Sequence, residues 1–108
     1  MSAHDSFEVL LDADAVIVDF NEEACEVTGY SKNEVIGENW FMIFIPEPSI
    51  AKMIDMFVDT FYGISSYNKY ANEIILKDGS KKLINWYDTV VKDENDRPLH
   101  LHSTGLYI

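Results

Sequence analysis

The stretch from Asn72 to Val91 constrains the fold of this chain more than any other part of the sequence. Its two halves are rich in β-branched and aromatic residues, which a pleated and half-buried surface favours, and Lys77-Asp78-Gly79-Ser80 separates them. The pair Asp-Gly supplies the positive φ that a tight hairpin turn requires. A third arm, Leu99 to Ile108, follows a turn-rich stretch from Lys92 to Pro98. The three arms predict an antiparallel meander.

Two further strands are predicted before the helical part of the chain, at Phe7 to Leu11 and at Ala15 to Phe20. The second stretch is nearly all apolar, which predicts a central position in the sheet because central strands are buried on both faces.

Capping signals divide the middle of the chain into short helices and one longer helix. Asn21 is a typical N-cap and Gly29 a typical left-handed helix end, and Ser31 and Glu34 have the spacing of a capping box. The longest helix is predicted from Ser49 to Tyr62, with one apolar face made of Ile50, Met53, Ile54, Phe57, Val58 and Phe61. The element order is therefore two strands, a row of helices and three strands, an α+β arrangement.

Composition and charge exclude several classes of protein. The chain has 108 residues, which suits one domain, and a formal net charge of -11, which argues against nucleic acid because phosphates demand clustered Lys and Arg. Residues up to Thr60 carry the whole acidic excess. No apolar run is as long as a membrane span. Cys25 is the single cysteine and cannot form an internal disulfide, which favours a reducing, cytoplasmic setting.

Several short motifs are spread over almost the whole length of the chain. They are Asp19-Phe20-Asn21-Glu22-Glu23-Ala24, Val27-Thr28-Gly29-Tyr30-Ser31, Gly37-Glu38-Asn39-Trp40-Phe41, Phe44-Ile45-Pro46, Lys77-Asp78-Gly79, Ile84-Asn85-Trp86 and Ser103-Thr104-Gly105. In this order they resemble the motifs of PAS sensory domains, in particular those of sensor histidine kinases and diguanylate cyclases in bacteria and archaea.

The resemblance implies a five-stranded antiparallel sheet of order 2-1-5-4-3, with the helices over one face. It also implies a single PAS domain over residues 1–108, part of a larger signalling protein whose C-terminal output domain would be a histidine kinase or a diguanylate cyclase. Such domains usually end in Asp-Ile-Thr, and the Asp helps to couple the last strand to the next helix. Tyr107 occupies that position here, so the usual coupling does not carry over.

The known cofactor types of the family can be tested on residues. Light-sensing flavin members have a reactive Cys where this chain has Asn39-Trp40-Phe41, and haem-binding members have a His in or beside the long helix, where this chain has none. His4 is near the start, and His100 and His102 have a spacing that can bind a metal on a strand, without an evident third ligand. We therefore expect no bound cofactor.

Non-covalent flavin remains an alternative. Four side chains would supply stacking and amide hydrogen bonds to it, namely Trp40, Asn72, Asn85 and Tyr87. By the resemblance, Asn85 occupies the position of an amide that holds the flavin ring in light-sensing members.

A cavity between the helices and the sheet is the implied ligand site. By the resemblance, the face of the second arm that carries Asn85 looks inward. The predicted cavity-lining residues are Trp40, Phe44, Met53, Phe57, Asn72, Ile74, Asn85, Tyr87, Leu101 and Ser103. This is the mostly apolar make-up of a small-ligand site, and a fully packed core without a ligand fits the same residues.

The opposite face of the sheet would then be apolar and in need of cover. Its predicted members are Ile75, Ile84, Trp86, Val90, Leu106 and Ile108. They predict a homodimer or packing by flanking helices, with Trp86 as the anchor.

Catalysis by the domain itself is not expected. The sequence contains no Ser-His-Asp, Cys-His or HExxH arrangement and no Gly-rich phosphate loop after a strand. The sequence therefore predicts a sensor or relay module that binds a small ligand or transmits a conformational signal. The alternatives are a ligand-free dimerisation module and a non-covalent flavin redox sensor.

Overall fold

The predicted hairpin and its third arm are present in the computed structural model, which describes residues 6–65 and 69–107. The meander consists of strands β3 (Lys69–Ile75), β4 (Lys81–Lys92) and β5 (Pro98–Leu106). Two strands precede the helices, β1 (Phe7–Leu11) and β2 (Ile17–Phe20). The predictions for His4 and Ile108 fall outside the described residues.

The described residues between β2 and β3 form four α-helices. They are α1 (Glu22–Thr28), α2 (Lys32–Val35), α3 (Trp40–Phe44) and α4 (Ile50–Phe61), and a 3-10 turn at Glu47–Ser49 leads into α4. No helix of the described part of the chain is long and apolar enough to cross a membrane.

The sheet is antiparallel with the order β2-β1-β5-β4-β3, which confirms the α+β fold and the order that the resemblance implies. β2 lies at the edge, so the central position predicted from its apolar run is wrong. The run is apolar because Ile17 and Phe20 are buried. Its open edge is covered by the chain after α2, where Ile17 N–H donates to Glu38 O at 2.9 Å and Gly37 N–H to Ile17 O at 2.9 Å.

The helix ends follow the predicted caps. Asn21 Oδ1 accepts hydrogen bonds from Ala24 N–H at 2.9 Å and from Glu8 N–H at 3.0 Å, so the cap also ties α1 to β1. Gly29 ends α1 with φ 83°. In the capping box of α2, Ser31 N–H donates to Glu34 Oε1 at 2.8 Å.

The hairpin turn is anchored to the helices. Gly79 has φ 89°, and Lys77 N–H donates to Thr28 O at 2.8 Å. Lys77 Nζ also lies 2.7 Å from Glu34 Oε2. The turn therefore holds β3 and β4 against α1 and α2, and the core forms on that face of the sheet.

Five aromatic rings fill one end of this core and are called here the aromatic cluster. Neighbouring rings have centroids 4.5 to 6.1 Å apart, mostly edge to face, a favourable arrangement. The members are Phe7, Phe20, Trp40, Phe44 and Trp86.

The predicted orientation of β4 is wrong. Trp86 and Ile84 are 2 % and 0 % exposed, whereas Leu83 and Tyr87 are 57 % and 41 % exposed. Asn85 is exposed as well. The inward face of β4 therefore carries Ile84 and Trp86, and the outer face carries Asn85 and Tyr87.

The pairing of β4 with its neighbours explains this orientation, because residues opposite each other in a sheet share a face. Ile84 lies opposite Asn72, and Trp86 lies opposite Gly105. A Cβ atom at Gly105 would lie 2.7 Å from Ile84 Cγ2 and 2.9 Å from Trp86 Cζ3. Gly105 thus leaves the space on the inner face that the indole of Trp86 occupies.

This orientation changes both predicted residue sets. Asn85 and Tyr87 cannot line an inner cavity, and Ile84 and Trp86 cannot form an outer interface. Leu106 is exposed on the outer face and Ile75 is half-buried there.

Candidate functional site

A cavity of about 20 Å³ lies between α3, α4 and the inner face of the sheet. Its wall is mostly apolar, with a few hydroxyls and one carboxyl. The lining residues are Leu11, Trp40, Phe41, Met53, Met56, Phe57, Thr60, Tyr70, Trp86, Asp88, Leu101 and Ser103.

Five of the ten predicted cavity residues line this space: Trp40, Met53, Phe57, Leu101 and Ser103. Phe44 and Ile74 are buried elsewhere in the core.

Asn72 does not line the cavity but contacts two side chains that do. Its Oδ1 accepts a hydrogen bond from Trp86 Nε1 at 2.7 Å, and its Nδ2 lies 3.7 Å from Met53 Sδ. This amide therefore fixes one lining side chain from the sheet and contacts one from α4. It links the two walls of the cavity.

Asp88 is the functional candidate that the sequence reasoning missed, together with Tyr70 as its neighbour. Asp88 lies opposite Ser103 on β5. Tyr70, Asp88 and Ser103 form the polar part of the wall on the sheet side and are called here the polar trio. Asp88 Oδ1 is buried without a hydrogen-bond partner among the described residues. The sequence signal for Asp88 is its position on the same face of β4 as Ile84 and Trp86. This position indicates a buried carboxyl only when that face is recognised as the inner one.

The charge of Asp88 is set mainly by burial. Burial raises the pKa of Asp88 to about 6, while the hydroxyls of Ser103 and Tyr70 and the imidazole of His102 favour the charged form and limit the rise. Burial, followed by the charge of Asp88, raises the pKa of Tyr70. At neutral pH the wall thus holds a carboxylate beside a neutral phenol.

The size of the cavity limits what it holds without movement. About 20 Å³ suffices for one water-sized group, whereas pockets for drug-sized ligands are on the order of 300–1,000 Å³. Of the four predicted flavin contacts, Trp40 lines the cavity and Asn72 is engaged by Trp86, while Asn85 and Tyr87 lie on the outer face. The structure does not bring that set together.

Metal and thiol chemistry find little support in the described residues. Residues 6–65 and 69–107 contain no group of three His, Cys, Asp or Glu side chains placed to hold a metal ion. His102 Nε2 lies 2.8 Å from Glu8 Oε1 on the outer face. Burial raises the pKa of the Cys25 thiol, which disfavours the nucleophilic thiolate.

Comparisons with known proteins agree with this fold. A model of the PAS domain family matches residues 5–101. The PAS domain of the RpfR quorum-sensing receptor from Cronobacter turicensis, solved in complex with BDSF and with C12:0, is 27 % identical. It superposes with TM-scores of 0.82 and 0.83 over 100 % of this chain and 98 % of that chain.

A second solved structure extends the likeness in fold alone. The PAS domain of a Colwellia psychrerythraea protein is 20 % identical, with a TM-score of 0.77 over 95 % of this chain and 86 % of that chain. No curated protein matches the sequence significantly.

Proposed function

The chain belongs to the PAS domain family, and we propose that it is a non-catalytic sensory module that binds a small apolar molecule with one polar end beneath α4. The observation that carries this proposal is the mixed wall of the cavity. Apolar side chains from α3, α4, β1 and β5 surround the polar trio on one inner face of the sheet. This combination is typical of small-ligand sites, where a few polar groups orient an apolar body.

A ligand-bound relative supports the binding of a small molecule by a domain of this fold. The RpfR PAS domain was solved with BDSF and with C12:0, the latter a saturated fatty acid, and its fold matches over the whole of this chain. A fatty acid combines an apolar chain with one polar end, as the proposed ligand does.

Binding requires α4 to move away from the sheet, because the cavity is too small for such a molecule. Met53 and Met56 line the cavity from α4, and methionine side chains adapt easily to new neighbours. The 3-10 turn Glu47–Ser49 precedes the helix, and Gly63, with φ 73°, follows it. These positions are suited to hinge motion, so ligand binding would be read out as a displacement of α4.

The outer face of β4 and β5 is the proposed route to a partner. Four exposed apolar side chains lie there, Leu83, Tyr87, Val91 and Leu106, and they replace Trp86 as the predicted anchor. We infer a homodimer through this patch and a C-terminal output domain of the histidine kinase or diguanylate cyclase class. Tyr107, at the position of the usual Asp, lies with its ring 4.8 Å from Lys82 Nζ, which offers a different link from β4 to the following chain.

The small volume of the cavity favours one alternative, a ligand-free PAS module that only dimerises. The flavin redox sensor has less support, since two of its four predicted contacts lie outside the core. A cytoplasmic setting stays a prediction from the single cysteine.

A cavity-filling variant tests the proposal. Thr60→Met narrows the cavity from α4, and Val58→Met adds a similar side chain on the exposed side of the same helix. Thermal unfolding is measured with a panel of medium-chain alcohols, amines and fatty acids, C12:0 included. We expect at least one class to raise the Tm of the parent and of Val58→Met but not of Thr60→Met.

Two results would overturn the proposal. One is that no compound of the panel raises the Tm of the parent. The other is an equal shift in both variants, which would place binding elsewhere. Native mass spectrometry of the purified domain adds an independent readout, because a retained molecule would be seen directly.

A further inference from the structure

We propose that the polar end of the ligand is a hydrogen-bond donor, an alcohol or a protonated amine, and that Asp88 Oδ1 accepts it. The inference rests on the proposed function and assigns the chemical class of the ligand of that same site. It sets this chain apart from a relative solved with a fatty acid.

The first argument is the position of the carboxyl. Asp88 follows Trp86 by two residues on β4, so both side chains are on the inner face and both line the cavity. Oδ1 of Asp88 is shielded from solvent and is not hydrogen-bonded by any described residue. A buried acceptor without a partner is costly, and a donor on the ligand would remove that cost.

The second argument is the absence of a compensating cation. None of the twelve described lining residues is Lys, Arg or His. The hydroxyls that face Asp88, from Tyr70 on β3 and Ser103 on β5, already favour its charged form, as does His102 on the other face of β5. α3, α4 and β1 contribute apolar side chains and Thr60. A ligand carboxylate would therefore meet a second carboxylate with no positive charge between them, which disfavours binding.

The protonation state of Asp88 gives the inference a pH signature. Above the Asp88 pKa of about 6 the group is ionised and accepts from an amine or an alcohol. Below that value it becomes neutral and can itself donate to a carboxylate. Amine binding should thus weaken, and fatty-acid binding strengthen, as the pH falls through about 6.

Probes with the same chain and different ends test this directly. Decylamine, 1-decanol, decanoic acid and decyltrimethylammonium are titrated calorimetrically into the folded domain at about pH 7.5 and about pH 5, with circular dichroism to confirm folding at each. The quaternary ammonium keeps the charge but has no N–H donor, so it separates hydrogen bonding from attraction to a chain of charge -11. At the higher pH we expect the affinity for decylamine to exceed the affinities for decyltrimethylammonium and decanoate by about tenfold or more.

Two variants locate the effect. Asp88→Asn should weaken decylamine about tenfold or more and improve decanoate, whereas Asp55→Asn, on the exposed side of α4, should change neither. Two results would overturn this inference and leave the proposed function standing. One is tighter binding of decanoate than of decylamine and 1-decanol at about pH 7.5. The other is an Asp88→Asn variant that binds decylamine and decanoate with the same affinities as the parent. Failure of all four probes would overturn both. If Asp88→Asn does not fold, the ranking of the four probes on the parent decides.

Discussion

The two ends of the inner core are built differently, although the same strands support both. At one end the aromatic cluster packs rigid rings against each other at 4.5 to 6.1 Å. At the other end α4 covers the sheet with Met53, Met56, Thr60 and the ring of Phe57, which stacks on Phe61 at 5.6 Å, and the polar trio lies beneath them around a cavity. Close packing favours one well-defined arrangement, whereas flexible side chains over a polar wall allow rearrangement. We therefore expect the aromatic end to stabilise the fold, and, under the proposed function, the α4 end to respond to a ligand.

Trp40 and Trp86 belong to both ends. Their rings lie 5.6 Å apart in the aromatic cluster, and both also line the cavity. Under the proposed function, a ligand that moves either indole would therefore also disturb the aromatic cluster.

The largest effect is expected at the aromatic end. Trp86→Glu removes a buried ring and places a carboxylate among apolar side chains, so it should cost more than about 3 kcal/mol of unfolding free energy. Thr89→Glu, exposed on the other face of the same strand, should cost less than about 1 kcal/mol. Urea unfolding of the two variants measures the difference. Equal losses would contradict the orientation of β4.

A smaller loss is expected where β5 approaches the same ring. Gly105→Ala adds a Cβ that would lie 2.7 Å from Ile84 Cγ2 and 2.9 Å from Trp86 Cζ3, so the neighbours must shift. Overpacking of this kind costs about 1–3 kcal/mol. The measurement is the urea midpoint, together with the near-ultraviolet circular dichroism of the tryptophans. An unchanged midpoint would show that the aromatic end is looser than its packing indicates.

The smallest effect, of opposite sign, is expected in the polar trio. The pKa of Asp88 rises from 3.8 to about 6 on folding, so the folded state holds its proton more tightly than the unfolded state. The resulting destabilisation is complete above pH 6 and disappears as the pH falls through about 6 to below 4. Asp88→Asn should therefore be more stable than the parent by about 1–2 kcal/mol at pH 8. This gain is smaller than the free energy that corresponds to the whole pKa shift, because the amide of the new Asn is buried too.

The pH dependence of this gain is the control. Unfolding of parent and variant is compared at pH 8 and at pH 4, where we expect the difference to shrink. A variant that is less stable than the parent at pH 8 would show that the charged form of Asp88 stabilises the fold. The side chains of the α4 end would then contribute to stability, as those of the aromatic end do.

The elements of the fold were predictable because their signals are local. The Asp78-Gly79 turn, the Asn21 cap and the Ser31–Glu34 capping box each depend on residues a few positions apart. The resemblance added the strand order, which no local signal contains. β4 shows where such reasoning ends, because both of its faces mix apolar and polar residues.

The choice between the two faces of β4 depends on its partners across the sheet. Alternation alone separates Asn85 and Tyr87 from Trp86 and Asp88 without saying which pair is buried. The pairing of Trp86 with Gly105 decides it, and that contact joins residues on different strands. When Asn85 is predicted to face inward, alternation puts Asp88 on the outer face, where a carboxylate is ordinary, and the predicted cavity then contains no carboxyl.

The pairing of β1 with β5 joins the first and the last strands of the sheet in chain order. Phe7 lies opposite Gly105, and Leu11 opposite Leu101, so residues more than 85 positions apart in the chain must meet to form this pair. The β3–β4 hairpin forms from near neighbours, on the order of microseconds, whereas closing the β1–β5 pair requires contacts across most of the chain and is slower. Until β5 pairs with β1, Phe7 lacks neighbours that bury it in the folded protein, and a partly folded chain with such exposed apolar surface is prone to aggregation.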